Sequence, residues 1–215
     1  MFTGIIEATG VIKKITAKGS DLSLDIYSDS LGFSDVKLGD SIASNGVCLT
    51  VSRLSANTFS ADVSTETLAR TCFGQYQTGQ RLNLEKALLA TGRLGGHLVS
   101  GHIDAVVEVL SISKSGRAWQ LWLSLPEKLT RYVAEKGSVT VDGISLTVNE
   151  LGKDSFRLTI VPHTANETTL VQLSPGSQVH LEVDLIARYL ERLLLPQQSE
   201  HSGLSLALLQ QRGFL

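Results

Sequence analysis

One unit of sequence occurs twice in this chain, and the second copy follows the first at a constant spacing of 97 residues. The clearest pair is residues 45–51 (NGVCLTV) and residues 142–148 (DGISLTV). The same spacing relates residues 3–8 to residues 100–105. Because the register holds without an insertion across nearly the whole copy, it indicates an internal duplication, and the chain is expected to fold as two similar units.

Each copy has the residue pattern of short β-strands. Apolar and polar residues alternate in residues 22–26 and 156–160, as in strands with one buried face. The dipeptides Asn45-Gly46 and Asp142-Gly143 accept the positive φ angles of a tight hairpin turn. About ninety residues with this texture predict an all-β fold in which each copy forms a small closed or nearly closed barrel.

The spacing is interrupted at one point. Gly39 and Gly137 lie one residue out of step with the repeat, which predicts a bulge in one copy. Residues 89–97, with three glycines, form the predicted linker between the copies.

After Asp184 the apolar residues recur at helical spacing until Pro196. They are Leu185, Ile186, Tyr189, Leu190, Leu193 and Leu194. A shorter helical segment is predicted over residues 204–212. The apolar face of the first helix packs either on its own barrel or on another subunit, and the sequence leaves both possibilities open.

Composition limits the classes of function. A formal net charge of −2 gives no basic field for nucleic acid or an anionic membrane. The two cysteines, Cys48 and Cys72, form no C-x-x-C pair and suit a reducing compartment. The start of the chain lacks the basic flank and apolar core of a signal peptide, and no apolar run has membrane-spanning length. We therefore expect a cytoplasmic protein.

Common catalytic signatures are absent from the sequence. It contains no Walker loop, no G-x-S-x-G elbow, no H-E-x-x-H and no complete G-x-G-x-x-G. His97 and His102 are separated by five positions with Gly101 between them, so one helix face would not present both to a metal ion. No metal site is predicted.

The informative positions are those where the two copies differ. The pairs are Ile5 and His102, Asn45 and Asp142, Cys48 and Ser145, Glu66 and His163, and Ala87 and Asp184. Neutral drift explains any one of these, and each residue also has a structural explanation: Cys48 as a small buried residue, or Lys136 as a solvated one. The residues alone predict a two-barrel protein with a small-molecule site, and a position between the copies is one of the places open to it.

Four motifs, in order, resemble those of the riboflavin synthase family. They are residues 1–6 (MFTGII), 45–51 (NGVCLTV), 95–102 (GGHLVSGH) and 142–148 (DGISLTV), and the likeness extends from residue 1 to about residue 194. The resemblance implies two tandem six-stranded Greek-key barrels, residues 1–97 and 98–194. Residues 195–215 lie beyond the likeness and are expected to form a helical tail. The resemblance also implies a homotrimer held by C-terminal helices, with a site between barrels of neighbouring subunits.

The implied reaction needs no cofactor. One molecule of 6,7-dimethyl-8-ribityllumazine donates a four-carbon unit to a second, which gives riboflavin and 5-amino-6-ribitylaminouracil. The rivals are a non-catalytic lumazine-binding protein of the same fold and a structural or interaction protein that reuses the barrels. The presence of Cys48 and of the histidine-containing segment at residues 95–102 favours the enzyme.

The resemblance also implies two groups of substrate-binding residues, one for each barrel. For the first barrel they are Gly4, Ile5, Ile6, Val47, Cys48, Leu49, Asp62, Val63, Ser64, Thr65, Glu66 and Thr67. For the second barrel they are Gly101, His102, Ile103, Lys136, Ser145, Leu146, Thr147, Val161, Pro162, His163, Thr164, Ala165 and Asn166.

Five residues are implied to take part in catalysis. His102 would assist proton transfer, because imidazole titrates near neutral pH. Cys48 or Ser41 would activate the acceptor ring by a transient adduct or by placing a nucleophile. Asp184 and Thr147 would orient catalytic groups or the substrate.

Overall fold

The computed structural model describes residues 1–195 and 210–213. Its strands form two closed barrels of six strands each, and every strand pairing is antiparallel. The strands of the first barrel are β1 (Ala8–Lys18), β2 (Asp21–Tyr27), β3 (Ser41–Ser44), β4 (Val47–Ser55), β5 (Thr58–Val63) and β6 (Arg81–Lys86). Those of the second barrel are β7 (Ala105–Ser115), β8 (Ala118–Ser124), β9 (Ser138–Val141), β10 (Ile144–Leu151), β11 (Ser155–Ile160) and β12 (Gln178–Val183).

The two barrels have the same strand order. Around the first it is β1-β2-β5-β4-β3-β6, and the second repeats it with every strand number raised by six. Three consecutive strands, β3 to β5, form a meander and β2 closes beside β5, which is a Greek key. The all-β prediction of two tandem six-stranded Greek-key barrels with a C-terminal helix is confirmed.

Alternating side chains build the core of each barrel. In β2, Leu24 and Ile26 point inward, and the equivalent Leu121 and Leu123 of β8 do the same. Each side chain that is fully removed from water contributes roughly 1.5–3 kcal/mol to folding. The two-residue turns between β3 and β4 and between β9 and β10 have positive φ at both positions, which confirms the predicted hairpins.

The copies agree where a difference between them was predicted. Lys136, and not Gly137, occupies the position of Gly39. The φ angle is +67° at Lys136 and +91° at Gly39. The N–H of Lys136 donates to the carbonyl of Val148, and the N–H of Gly39 donates to the equivalent carbonyl of Val51. The register is therefore continuous, and the predicted slip with a bulge in one copy is wrong. Instead the strand bulges occur in both copies, at β1 and β7 and at β4 and β10.

Short helices follow β5 and β11, and a longer one ends the second barrel. They are α1 (Thr65–Arg70), α2 (Pro162–Glu167) and α3 (Leu185–Leu194). The prediction for α3 is confirmed, whereas most of the segment predicted over residues 204–212 lies outside the described residues. In the described ranges, no helix combines the length and apolarity needed to cross a membrane.

Helix α3 lies on its own barrel through polar groups. Arg188 donates to the carboxylate of Asp104 and its guanidinium lies over the ring of Tyr132, which in turn donates to Glu191. The outward face exposes an apolar stripe formed by Ile186, Tyr189, Leu190, Leu193 and Leu194. The alternative that the apolar face packs on its own barrel is therefore wrong: the polar face packs there, and the apolar face has no cover within the described chain.

Candidate functional site: two surfaces completed by exchanged arms

The segments that precede the two barrels cross the seam between them. We call residues 1–6 the first arm and residues 98–103 the second arm. The arms pair at Phe2 and Val99, which exchange two main-chain hydrogen bonds of 2.8 and 3.1 Å. Beyond this pair each arm runs onto the barrel of the other copy.

The arms end on equivalent strands of opposite barrels. The carbonyl of Gly4 accepts the N–H of Ser145 at 2.7 Å, and the carbonyl of Gly101 accepts the N–H of Cys48 at 3.0 Å. Both glycines have positive φ, +78° and +83°, and a Cβ on either would lie 2.6 Å from the Cβ of its partner residue. Only glycine therefore fits both the conformation and the close approach.

This exchange corrects the grouping of the arm residues in the sequence analysis. Ile6 packs against the core of the second barrel and Ile103 against that of the first. Gly4 and Ile6 were assigned to the first barrel and Gly101 and Ile103 to the second, and the structure places each of them against the opposite barrel, whereas Ile5 faces a cleft on the first barrel. Their role in binding substrate stays a prediction.

On the first barrel, Ser41 and Cys48 lie on the outer face of a hairpin. Ser41 pairs with Thr50, and Ala43 pairs with Cys48, whereas the alternate side chains fill the core. Cys48 is half-buried against the cluster formed by Phe2, Ala43 and Val99. The second arm places His102, whose side chain is exposed, next to the residue that contacts Cys48.

The predicted loop at residues 62–67 borders the start of α1. Ser64 caps that helix by accepting the N–H of Thr67, and Thr65 bonds to Asp21. Asp62 is paired with Lys18 at 2.9 Å, and the hydrogen bond from this ammonium lowers the pKa of the Asp62 carboxyl. Glu66 pairs with Arg70 on the exposed side of the helix.

A cleft of about 450 Å³ also opens on the first barrel. Ile5 and Ser41 line it together with Lys86, Leu88 and Arg93. The structure thus brings Ser41 to the same cleft as the first arm, but neither Cys48 nor the loop at residues 62–67 lines this space.

On the second barrel a histidine approaches the serine that replaces Cys48. Nδ1 of His97 lies 2.8 Å from Oγ of Ser145, and the N–H of His97 donates to the carbonyl of Thr3 at 3.1 Å. Burial lowers the pKa of His97, against an opposing effect of the negative Asp184. Asp184 itself caps α3 by accepting the N–H of Ile186 at 2.9 Å.

The equivalent loop of the second barrel surrounds the start of α2. Val161 precedes the helix and exposes its side chain, as do His163 and Asn166. The carbonyl of Thr164 accepts the hydroxyl of Thr168. Pro162 opens the helix at a position where a missing N–H costs nothing.

Five predicted substrate-binding side chains belong to the barrel cores, because their strand or helix positions face inward. They are Val47, Leu49, Val63, Leu146 and Ala165, none more than 9% exposed. Their side chains fill the core, and their role in binding substrate stays a prediction, which their main-chain atoms would carry. By contrast, Thr147 and Lys136 are exposed on the second barrel, and their role in binding substrate stays a prediction.

Three residues that were not among the predicted site residues hold these surfaces together. His97 was considered as a metal ligand and as part of the motif at residues 95–102, and Glu85 and Glu182 were not considered. An ionisable residue inside an apolar strand at the same place in both copies was the available signal. Within the described ranges, no three His, Cys, Asp or Glu side chains are grouped as metal ligands would be.

Known proteins share the duplication and the fold. A family model described as the lumazine binding domain matches residues 3–87 and again residues 100–184. The solved structure of LumP complexed with riboflavin superposes with a TM-score of 0.79 at 25% identity, covering 85% of this chain and 99% of that one. LumP complexed with 6,7-dimethyl-8-(1'-D-ribityl) lumazine gives a TM-score of 0.77 at 24% identity over the same shares of the two chains.

Sequence similarity to enzymes is higher and extends over entire chains. The riboflavin synthase of Photobacterium phosphoreum is 55% identical over 217 residues, and that of Actinobacillus pleuropneumoniae is 47% identical over 216 residues. The riboflavin synthase of Bacillus subtilis is 40% identical over 216 residues. In all three comparisons 100% of both chains is covered. With its two lumazine binding domains, the chain belongs to the riboflavin synthase family.

Proposed function

We propose that the protein transfers a four-carbon unit between two molecules of 6,7-dimethyl-8-ribityllumazine. One molecule would be held by the surface around Cys48 on a first barrel and the other by the surface around Ser145 on a second barrel. The supporting observation is that the surfaces around Cys48 and Ser145 are equivalent in the repeat and are each bordered by an arm of the other copy. A pair of related sites suits a reaction that consumes two molecules of one substrate. One molecule gives up a four-carbon unit and becomes 5-amino-6-ribitylaminouracil, and the other receives it and becomes riboflavin.

Positioning accounts for most of the catalysis in this proposal. The 7-methyl protons of the lumazine are already acidic, because the ring delocalises the carbanion that remains. Holding two rings in reactive register supplies as much as roughly 7–11 kcal/mol of barrier reduction in favourable cases. This explains how a site with few charged groups would be sufficient.

The arm exchange suggests a distribution of roles. On the first barrel, His102 would move a proton while Cys48 or Ser41 activates the bound ring, since the second arm brings His102 to that barrel. On the second barrel, Thr147 and Asp184 would orient the other molecule. The buried Cys72 is a poor candidate, because burial raises the pKa of its thiol to about 12.

One assay separates the enzyme from a non-catalytic binding protein of the same fold. The pure protein is incubated with 6,7-dimethyl-8-ribityllumazine alone, and riboflavin is followed against the uncatalysed rate. Accumulation above that rate supports the proposal, and binding of two lumazines per chain without product contradicts it. Unchanged turnover in Cys48→Ser would remove Cys48 from the catalytic residues, with Cys72→Ser as the matched control.

We also propose that three chains associate through α3. Five apolar side chains on its outward face have no cover within the described chain, although the polar face is packed. Light scattering should give the mass of a trimer for the parent protein and that of a monomer for Leu190→Lys with Leu193→Lys. Arg192→Gln on the same helix is the control, and a monomeric parent protein would refute the trimer.

If the two rings are held by barrels of different chains, dissociation should reduce turnover more than binding. The monomeric variant is therefore expected to bind lumazine but to form riboflavin slowly. Equal turnover in monomer and trimer would refute the site between subunits. The cytoplasmic location stays a prediction of the sequence.

A further inference from the structure

A buried glutamate of each barrel holds the arm of the same copy by hydrogen bonds to two neighbouring arm residues. Glu85, on β6, accepts the N–H and the hydroxyl of Thr3 at 2.7 Å each and the N–H of Gly4 at 3.0 Å. Its side chain is almost completely removed from water. Three donors therefore converge on one buried carboxylate and set the direction in which the first arm leaves the barrel.

The second barrel repeats this arrangement. Glu182, on β12, accepts the N–H and the hydroxyl of Ser100 at 2.7 and 2.6 Å and the N–H of Gly101 at 3.0 Å. Burial raises the pKa of both glutamates, and the bonds from the arm oppose that rise. Neither carboxylate contacts Cys48 or Ser145 through a hydrogen bond within the described residues, so an effect on those residues would pass through the arms.

The connection runs from one barrel to the other. Gly101 uses its N–H to bond Glu182 of the second barrel and its carbonyl to accept the N–H of Cys48 on the first. Gly4 joins Glu85 of the first barrel to Ser145 of the second in the same way. A single glycine thus separates each glutamate from the surface on the opposite barrel.

We propose that Glu182 and Glu85 are crossed positioning residues, each of which sets, from one barrel, the arm that completes the candidate site on the other. Glu182 would fix His102 and Ile103 against the first barrel, and Glu85 would fix Gly4 and Ile6 against the second. The identity of the ligand in these sites rests on the proposed function, but the crossed connection does not.

Glutamine is the informative replacement for each glutamate. It keeps the shape and one acceptor oxygen, but its NH₂ group cannot accept a hydrogen bond from an N–H of the arm. At least one hydrogen bond that holds the arm is therefore lost. We expect Glu182→Gln to speed amide hydrogen exchange at Cys48 by about tenfold or more and to leave Ser145 unchanged. Glu85→Gln should give the reverse pattern, both measured by NMR on the full chain.

Two controls separate positioning from general destabilisation. Glu108→Gln, on an exposed position of β7, should change neither amide. The core amides of Phe59 and Phe156 report global opening and should exchange as in the parent protein. The proposal would be overturned by an uncrossed pattern, in which Glu182→Gln speeds exchange at Ser145 and Glu85→Gln speeds it at Cys48. It would also be overturned if the amides of Cys48, Ser145, Phe59 and Phe156 were all accelerated equally.

A milder pair of variants serves if a glutamine variant fails to fold. Thr3→Val and Ser100→Ala each remove one hydroxyl donor and keep the carboxylate and both main-chain bonds. The same crossed pattern is expected with a smaller acceleration, and an uncrossed pattern would again refute it.

Turnover with lumazine tests the proposed function separately. If the exchange pattern is crossed and no riboflavin is formed by the parent protein, the crossed connection stands and the proposed function fails. If riboflavin is formed and the pattern is uncrossed, the reverse holds. In an active protein, Glu182→Gln should lower kcat more than it raises KM, because proton transfer by His102 would lose its geometry.

Discussion

Asn83 and His180 lie 97 residues apart and make the same pair of hydrogen bonds across the seam between the barrels. Each side chain approaches a main-chain carbonyl with one group and accepts a main-chain N–H with the other. The amide nitrogen of Asn83 lies 3.0 Å from the carbonyl oxygen of Asp142, and its amide oxygen accepts the N–H of Thr169 at 2.8 Å. Nδ1 of His180 lies 2.7 Å from the carbonyl oxygen of Asn45, and Nε2 accepts the N–H of Cys72 at 2.8 Å. Since Nε2 of His180 must accept, the imidazole is neutral with its proton on Nδ1.

Replacing His180 tests how much the seam depends on this polar contact. His180→Leu leaves two buried main-chain groups without partners and should lower the free energy of unfolding by about 2–5 kcal/mol. His180→Asn installs the side chain that the first copy uses and should lose less. Urea denaturation followed by circular dichroism measures both, and equal losses would show that packing alone decides.

The stability of the seam should depend on pH in two opposing ways. Burial lowers the pKa of His180 to about 4, so its contribution to stability is lost as pH falls below 6.5, the ordinary value for histidine. Burial raises the pKa of Asp142 to about 7, so its contribution is lost as pH rises from about 4 to 7. Between pH 4.5 and 7 the two effects partly cancel.

Asp142→Asn should remove the opposing effect of the aspartate on the seam. This variant carries the residue of the first copy, and its free energy of unfolding is expected to fall by about 2–3 kcal/mol from pH 7 to pH 4.5. His180→Asn should show the opposite slope and gain stability over the same range. Two variants with equal slopes would contradict the assignment.

A methyl group at Gly101 should separate the second arm from Cys48. Gly101→Ala suffers both the positive φ and a contact of 2.6 Å to the Cβ of Cys48, and we expect a loss of about 2–4 kcal/mol with reduced turnover. Gly19→Ala is the control, because its φ is also positive and nothing lies within 4 Å. Thermal unfolding compares them, and equal losses would mean that the close contact relaxes without cost.

Lys136 carries backbone strain at a position where the first copy has glycine. Lys136→Gly should raise the free energy of unfolding by about 1 kcal/mol, because the left-handed conformation disfavours residues with a Cβ. If Lys136 binds substrate as the resemblance implies, the same variant should raise KM. Gly39→Lys, the reciprocal change, should destabilise, and a stable Gly39→Lys would argue against strain at this site.

Local patterns predicted the barrels, the hairpins and helix α3, because each depends on residues close in sequence. The period of two in β2 and β11 and the dipeptide Asn45-Gly46 act within a few positions. The crossing of the arms does not, since Gly4 and Gly101 carry no mark of the barrel that they contact. Each arm was assigned to the barrel of its own copy, and tertiary packing instead places Gly4 and Gly101 against the opposite barrels.

Side-chain direction was the second limit on the predicted site. The resemblance supplied runs of neighbouring residues, but a strand sends alternate side chains to opposite faces. Ser41 and Cys48 face outward whereas Leu49 and Val63 fill the core. The lone glutamates Glu85 and Glu182 were readable from the sequence as charges inside apolar strands, although not their contacts with the arms.

The arm exchange also has a consequence for how the two copies evolve. A substitution at residue 48 would affect residue 101, which belongs to the other copy. It would affect residue 4, the equivalent of residue 101 in its own copy, much less. Among related sequences we therefore expect glycine to be kept at positions 4 and 101, because the strands that carry residues 145 and 48 lie directly against them. Neither half could then be replaced by a second copy of the other, because each half supplies the arm that completes the candidate site on its partner.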